Sequence, residues 1–103
     1  MEEKVEAILT IGSQQHKALL HLFTVDQDDM RFRFGRASVS GVSTAGQLVH
    51  PQRPTVFMMT VTGSGGPWRV IFFSGVTEWG TDDSVPITHA DFYVLGCPEM
   101  TQP

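Results

Sequence analysis

The sequence predicts an all-β fold: a small sandwich or partly open barrel of about six mainly antiparallel strands, with little or no helix. Three observations carry this. Short runs rich in β-branched and aromatic residues recur along the chain, set apart by turn signals containing Gly, Pro and Asp. No convincing long helix interrupts them. Two of the runs, Pro54 to Thr62 and Trp68 to Val76, flank Gly63-Ser64-Gly65-Gly66-Pro67, a hairpin signal with a loop of about five residues.

Residues 1–3 form a polar lead-in. Lys4 to Ile11 is the first strand, with Val5, Ala7, Leu9 and Ile11 on one face. After a turn at Gly12-Ser13-Gln14-Gln15, His16 to Val25 is the second, apolar on both faces: Ala18, Leu20 and Leu22 against Leu19, Phe23 and Val25. A short helix competes for Lys17 to Phe23, since Ala and Leu favour helix, but the nearby turns and β-branched ends favour strand.

Asp26-Gln27-Asp28-Asp29 is an acidic turn. Met30, Phe32 and Phe34 then alternate with Arg31, Arg33 and Gly35, which places the phenylalanines inward and the arginines outward. Beyond Gly35 the apolar residues are Ala37 and Val39, on the opposite face of a straight strand, so a bulge or bend is expected at the glycine, with the strand continuing from Ala37 to Ser43. Thr44 to Val49 is one short helical turn or an irregular crossing, and His50-Pro51-Gln52-Arg53-Pro54 is extended or turning.

In the central hairpin, Thr55, Phe57, Met59 and Val61 oppose Val56, Met58, Thr60 and Thr62. Trp68, Val70, Phe72 and Ser74 oppose Arg69, Ile71 and Phe73. Each face carries at least two large apolar groups, more than a single layer can bury. A second layer of this chain, or another molecule, must cover the second face. Thr77 to Ser84 is a loop holding Trp79, Gly80 and the Asp82-Asp83 pair; Asp91 to Leu95 is the last strand; Gly96 to Pro103 is a tail. Residues 1–103 make one domain, with 1–3 and 97–103 as flexible ends. Sequential neighbours are the expected pairings, second strand with third and fourth with fifth.

At 103 residues and 11.4 kDa the chain can build one modest core. A net charge of −4 argues against a broad basic face for nucleic acid. Cys97 is the single cysteine, so packing alone must hold the fold. The acidic start lacks the basic and apolar regions of a signal peptide, and no apolar run approaches the ~20 residues of a membrane-spanning helix. The expectation is a soluble, cytoplasmic protein without a membrane partner.

Arg31, Arg33 and Arg36, interleaved with Phe32 and Phe34, are the one basic cluster. Its simplest use is a solvent face paired with Asp26, Asp28 and Asp29. His16 and His21 are five apart and face opposite ways on one strand. His89 and Asp91 can face together, giving two ligands where zinc usually takes three or four, and His50 lies in a loop. Neither metal nor cofactor is expected. Cys97 has no helix start to activate it, and Ser64 sits in neither a nucleophile elbow nor a P-loop.

Catalysis is therefore not expected. The reading is a non-catalytic protein–protein interaction or assembly module, of the size of a small viral or bacterial accessory or inhibitor protein. It would use apolar strand surface to form a homo-oligomer or capture a protein partner, with a sheet edge added to the partner's sheet as one variant. Arg31, Arg33, Arg36, Trp68, Arg69, Phe73 and Trp79 are the candidate partner-binding residues, because interface hot spots are enriched in Trp, Tyr and Arg. Two alternatives compete: a barrel that binds an apolar ligand, and a nucleic-acid-contacting module centred on Arg31, Arg33 and Arg36.

Overall fold

The structure is a computed structural model that describes residues 1–80 and 85–97. Among them the chain forms β1 (Glu2–Ile11), β2 (Gln14–Gln27), β3 (Met30–Ser40), β4 (Phe57–Val61), β5 (Pro67–Glu78) and β6 (Ile87–Gly96). All neighbours are antiparallel, and the sheet closes on itself in the order β1-β2-β3-β6-β5-β4, because β1 bonds to β2 on one side and to β4 on the other. The all-β expectation is met, in its barrel form. Both expected hairpins are present, β2 with β3 and β4 with β5.

The boundaries differ at three places. The polar lead-in is already strand: β1 starts at Glu2, and Thr24 N–H donates to the Met1 carbonyl at 2.9 Å. β5 runs on through Thr77 and Glu78, and β6 starts at Ile87. Thr77 and Thr88 are opposite one another in that extra ladder, a pairing hidden by their polar side chains. Asp82, Asp83 and the tail beyond Cys97 lie outside the described residues.

Alternation decides which side chains go inside. Ala7 and Leu9, Ala18, Leu20 and Leu22, Ala37 and Val39, Phe57, Met59 and Val61, Trp68, Val70 and Phe72, and Ala90 and Phe92 form one buried cluster. On β5 the choice between Trp68, Val70, Phe72 and the opposite row is settled by Arg69. Burying Phe73 instead would gain about 1.5–3 kcal/mol, far less than the cost of sinking an unpaired guanidinium. The row does not continue to Ser74, because the register shifts between Phe72 and Ser74. Phe73 is the extra residue of that bulge, and after it Gly75 and Thr77 face Ala90 and Thr88. A second shift lies between Arg69 and Val70, where Leu95 is passed over on β6.

The bulge expected at Gly35 is absent. β3 holds continuous register through Gly35, opposite Leu22 on β2 and Phe92 on β6. The face assignment of its first half is also reversed: Met30, Phe32 and Phe34 are exposed at 58%, 45% and 40%, while Arg33 shares the parity of buried Ala37 and Val39. Phase is set where the barrel surrounds the strand, and Arg36, Ser38 and Ser40 cannot all go to its centre. The glycine answers a different demand. A Cβ at position 35 would stand 2.0 Å from the His21 carbonyl oxygen, so the two backbones approach too closely for any side chain.

β3 and β4 are not neighbours, so the chain between them crosses one end of the barrel. The crossing carries a single 3-10 turn, Ala45–Gln47, the helical alternative for this stretch. Thr44 and Gln47 form a capping box around it: Gly46 N–H donates to Thr44 Oγ1 and Thr44 N–H to Gln47 Oε1. Val42 and Leu48, on either side, are buried in the core. Thr88, the one buried polar residue among those described, fixes the crossing by donating its hydroxyl to the Val42 carbonyl at 2.8 Å, while Thr77 Oγ1 lies 2.7 Å from it.

At the opposite end Trp68 acts as a cap. It is only 3% exposed, its Nε1 donates to Ser64 Oγ at 2.9 Å, and the Arg33 guanidinium lies over its ring at 5.9 Å from the centroid. The glycine-rich turn thus serves to hold Ser64 beneath the indole.

Two substitutions test these constraints by thermal or denaturant unfolding. Gly35→Ala is expected to cost about 2–3 kcal/mol, because backbone must move to admit the methyl group. Thr88→Val, nearly isosteric, leaves the buried Val42 carbonyl without its donor and is expected to cost about 1–3 kcal/mol.

Candidate interaction surface

β1 accompanies β2 only as far as Phe23, and β6 joins β3 only from Phe34 onward. The residues between, 24–33, therefore extend past the barrel as a two-stranded finger with Thr24 opposite Arg33, Val25 opposite Phe32, Asp26 opposite Arg31 and Gln27 opposite Met30. Asp28 and Asp29 make the tip, with φ of 53° and 63°. A two-residue hairpin turn needs the left-handed conformation at both positions, and Asp tolerates it better than most residues.

The finger has two unlike faces. One carries Thr24, Asp26, Arg31 and Arg33, with Arg31 Nε donating to Asp26 Oδ1 at 2.7 Å. The other is apolar: Val25 beside Phe32, and Met30 beyond them, leading back to Phe23 beside Phe34. This second face does not stop at the barrel. Tyr93 is the partner of Phe34 on β6, and the bulged Phe73 on β5 lies 6.0 Å from Tyr93, ring to ring. Phe73 is 56% exposed, Tyr93 41% and Leu95 43%. An apolar band therefore runs across β2, β3, β6 and β5.

Within the band the rings are stacked on one another. His21 lies on Phe23 at 4.7 Å with planes 29° apart, and Phe23 on Phe34 at 5.6 Å and 18°. Phe23, stacked between the other two, has both of its faces covered. Ion pairs border it: Arg36 Nε donates to Asp91 Oδ1 at 2.9 Å, and His21 Nε2 lies 2.7 Å from Glu2 Oε2. Between the Phe23–Phe34 pair and Phe73 is an open cleft of about 400 Å³ that Arg36 and Asp91 also line.

The structure separates the residues singled out from the sequence. Phe73 is in the band and Arg36 at its border. Arg31 is on the polar face of the finger, Arg33 at the mouth of the barrel with its Nη1 3.6 Å from Cys97 Sγ, so the three arginines do not form one surface. Trp68 is core and offers no anchor. Arg69 is on the outer wall of β5, and Trp79, 63% exposed, follows the end of that strand. Missed altogether were Val25, Met30, Phe32, Phe34, Tyr93 and Leu95. The apolar second face of residues 19–25 was their signal.

One arrangement resembles a hydrolytic relay: Ser38 Oγ is 2.9 Å from His89 Nδ1, and His89 Nε2 is 3.0 Å from Glu78 Oε2. These side chains stand on the outer wall of β3, β6 and β5, where β3 is paired on both sides and its amides are spent in the ladder. The trio links β3, β6 and β5 across the wall. His89 and Asp91 do share this wall, but Asp91 is turned to Arg36. Among the described residues no group of three or more His, Cys, Asp or Glu is placed to hold a metal ion, and no helix is long and apolar enough to cross a membrane.

Two border charges are shifted. The hydrogen bond from Arg31 holds the Asp26 carboxyl below the ordinary aspartate value of 3.8, and the hydrogen bond to Asp91 raises the Arg36 guanidinium above the ordinary arginine range. A carboxylate with a lowered folded pKa stabilises the fold above its unfolded value, and that contribution is lost as pH falls through the folded one. For Asp26 the window lies below pH 3.8, and its full exposure keeps the effect small. In a carboxyl-carbon NMR titration the Asp26 midpoint is expected below 3.8 and should rise towards it in Arg31→Ala. An unchanged midpoint in the variant would show that the pair is not formed in solution.

Comparison with known proteins returns no match to the chain: no family model, no curated protein and no solved structure is similar to it, and its function rests on the geometry above.

Proposed function

We propose that the chain is a non-catalytic interaction or assembly module that meets a protein partner, or further copies of itself, through the apolar face of the finger and the adjoining wall. One observation carries this reading: exposed Val25, Met30, Phe32, Phe34, Phe73, Tyr93 and Leu95 form a single band on one side of the molecule. Each large side chain moved from water into an interface contributes about 1.5–3 kcal/mol when fully buried, so a band of this kind is costly to leave bare. The closed barrel favours side chains over backbone as the binding element. Strand addition to a partner's sheet is open only where a strand lacks a neighbour: along the finger, and beside the short β4, at residues 2–5 of β1 and 71–78 of β5.

The alternatives have less support. Leu9, Leu20, Val39, Met59, Val70 and Phe92 have no accessible surface, so no water-sized void adjoins them in the interior where an apolar ligand would sit. Nucleic acid would need a joint basic surface, whereas Arg31 and Arg36 are bonded to Asp26 and Asp91 on different faces.

A photoreactive phenylalanine analogue in place of Phe32 tests the reading, with the same analogue in place of Lys17 as the control on the outer wall of β2. In purified protein and in lysate of the native host, position 32 is expected to give discrete protein adducts and position 17 none. Equal labelling at the two sites, or none at position 32, would sink the proposal.

A further inference from the structure

We infer that the occupant of the apolar band is a second copy of this chain, docked face to face about a two-fold axis. The inference rests on the preceding reading of the band as a contact surface and adds the identity of the partner.

Three features point to self-docking. The first is area. Aromatic side chains bury 150–250 Å² each when fully covered, and at the observed exposures of 40–58% the seven exposed side chains of the band offer about 600 Å² per copy. A pair would bury at most about 1,200 Å² of these side chains, which is the lower bound of specific interfaces and suits a dimer that forms in the micromolar range. The second is charge. The border holds cation and anion together in Arg36 with Asp91, and Arg31 with Asp26 lies behind the finger. Such a rim is complementary to itself, since a two-fold axis can set each cation of one copy near an anion of the other. A strongly charged partner finds no counterpart in it.

The third is shape. The band is the outer face of a four-stranded stretch of sheet, with its exposed apolar side chains in rows along neighbouring strands. Two sheets pack by interdigitating such rows, with about 10 Å between them. An identical face provides a row of the same pitch.

The test is absolute mass by light scattering on a size-exclusion column, from about 1 to 300 µM, a range set by the affinity expected of so small an interface. The chain itself is expected to pass from 11.4 kDa to twice that mass with rising concentration. Phe32→Asp/Phe73→Asp replaces two exposed residues, so its circular dichroism and unfolding midpoint should match the parent. It is expected to stay at the single-chain mass throughout, a loss of at least about 100-fold in affinity. Leu19→Asp, an exposed apolar residue on another part of the wall, should dimerise like the parent. A chain that stays monomeric to the top of the range overturns the inference, as does a dimer that survives the double substitution, or an assembly larger than two. If that monomer still gives adducts from position 32 to a different protein, only the identity of the occupant is overturned and the contact surface stands.

Discussion

Closure through β1 is the constraint on which the rest of the structure depends. Ala7 is opposite Ala18 on one side and Val61 on the other, so one short stretch of β1 ties the two halves of the sheet together. Once that seam is made the ring is closed, although β4 is too short to cover residues 71–78 of β5, and the interior must be filled from one row of side chains per strand. The outer row is then free of any duty to the core. What it carries reflects solubility or recognition, and it carries phenylalanine on β2, β3 and β5 and tyrosine on β6.

The sequence made much of this legible, for identifiable reasons. Alternation in residues 5–11 grouped Val5, Ala7, Leu9 and Ile11, the row that faces the core. Residues 57–61 had apolar groups on both faces and the sequence chose neither; the structure buries Phe57, Met59 and Val61. The same rule misled at Met30 to Phe34. There the alternation is cleanest, but the finger has no interior, and the phase is dictated farther along by Ala37 and Val39. Local pattern reports amphipathicity; it does not say which side has a core to join. Gly35 compounded the error, since a glycine required by the His21 carbonyl looks the same in sequence as one required by a bulge.

The candidate surface was visible only in outline. That strands had apolar residues on both faces was plain in residues 19–25 and 69–73, and the need for a cover followed from it. The location did not, because the band is assembled from β2, β3, β6 and β5, whose adjacency depends on the crossing from β3 to β4. Tyr93 meets Phe34 across 59 residues of sequence, a juxtaposition no local pattern encodes. Phe73 was singled out for its place opposite Trp68, and it proved to be the bulge residue, pushed outward by the register shift that lets Gly75 seat the 3-10 turn. Trp68 and Arg33 went the other way. Residue type suggested an exposed anchor, whereas the mouth of the barrel needed a lid.

The ring order has a consequence for how the fold is assembled. Taken without β6, the remaining strands form an open sheet in the order β3-β2-β1-β4-β5, with β3 and β5 as bare edges. The sixth strand in chain order is thus a keystone: it lies between them and pairs with both, which closes the ring. The same strand delivers Thr88 to the crossing segment and Tyr93 to the aromatic band. Without the keystone the molecule would lack both the bond that fixes its crossing segment and the tyrosine that completes its outer face.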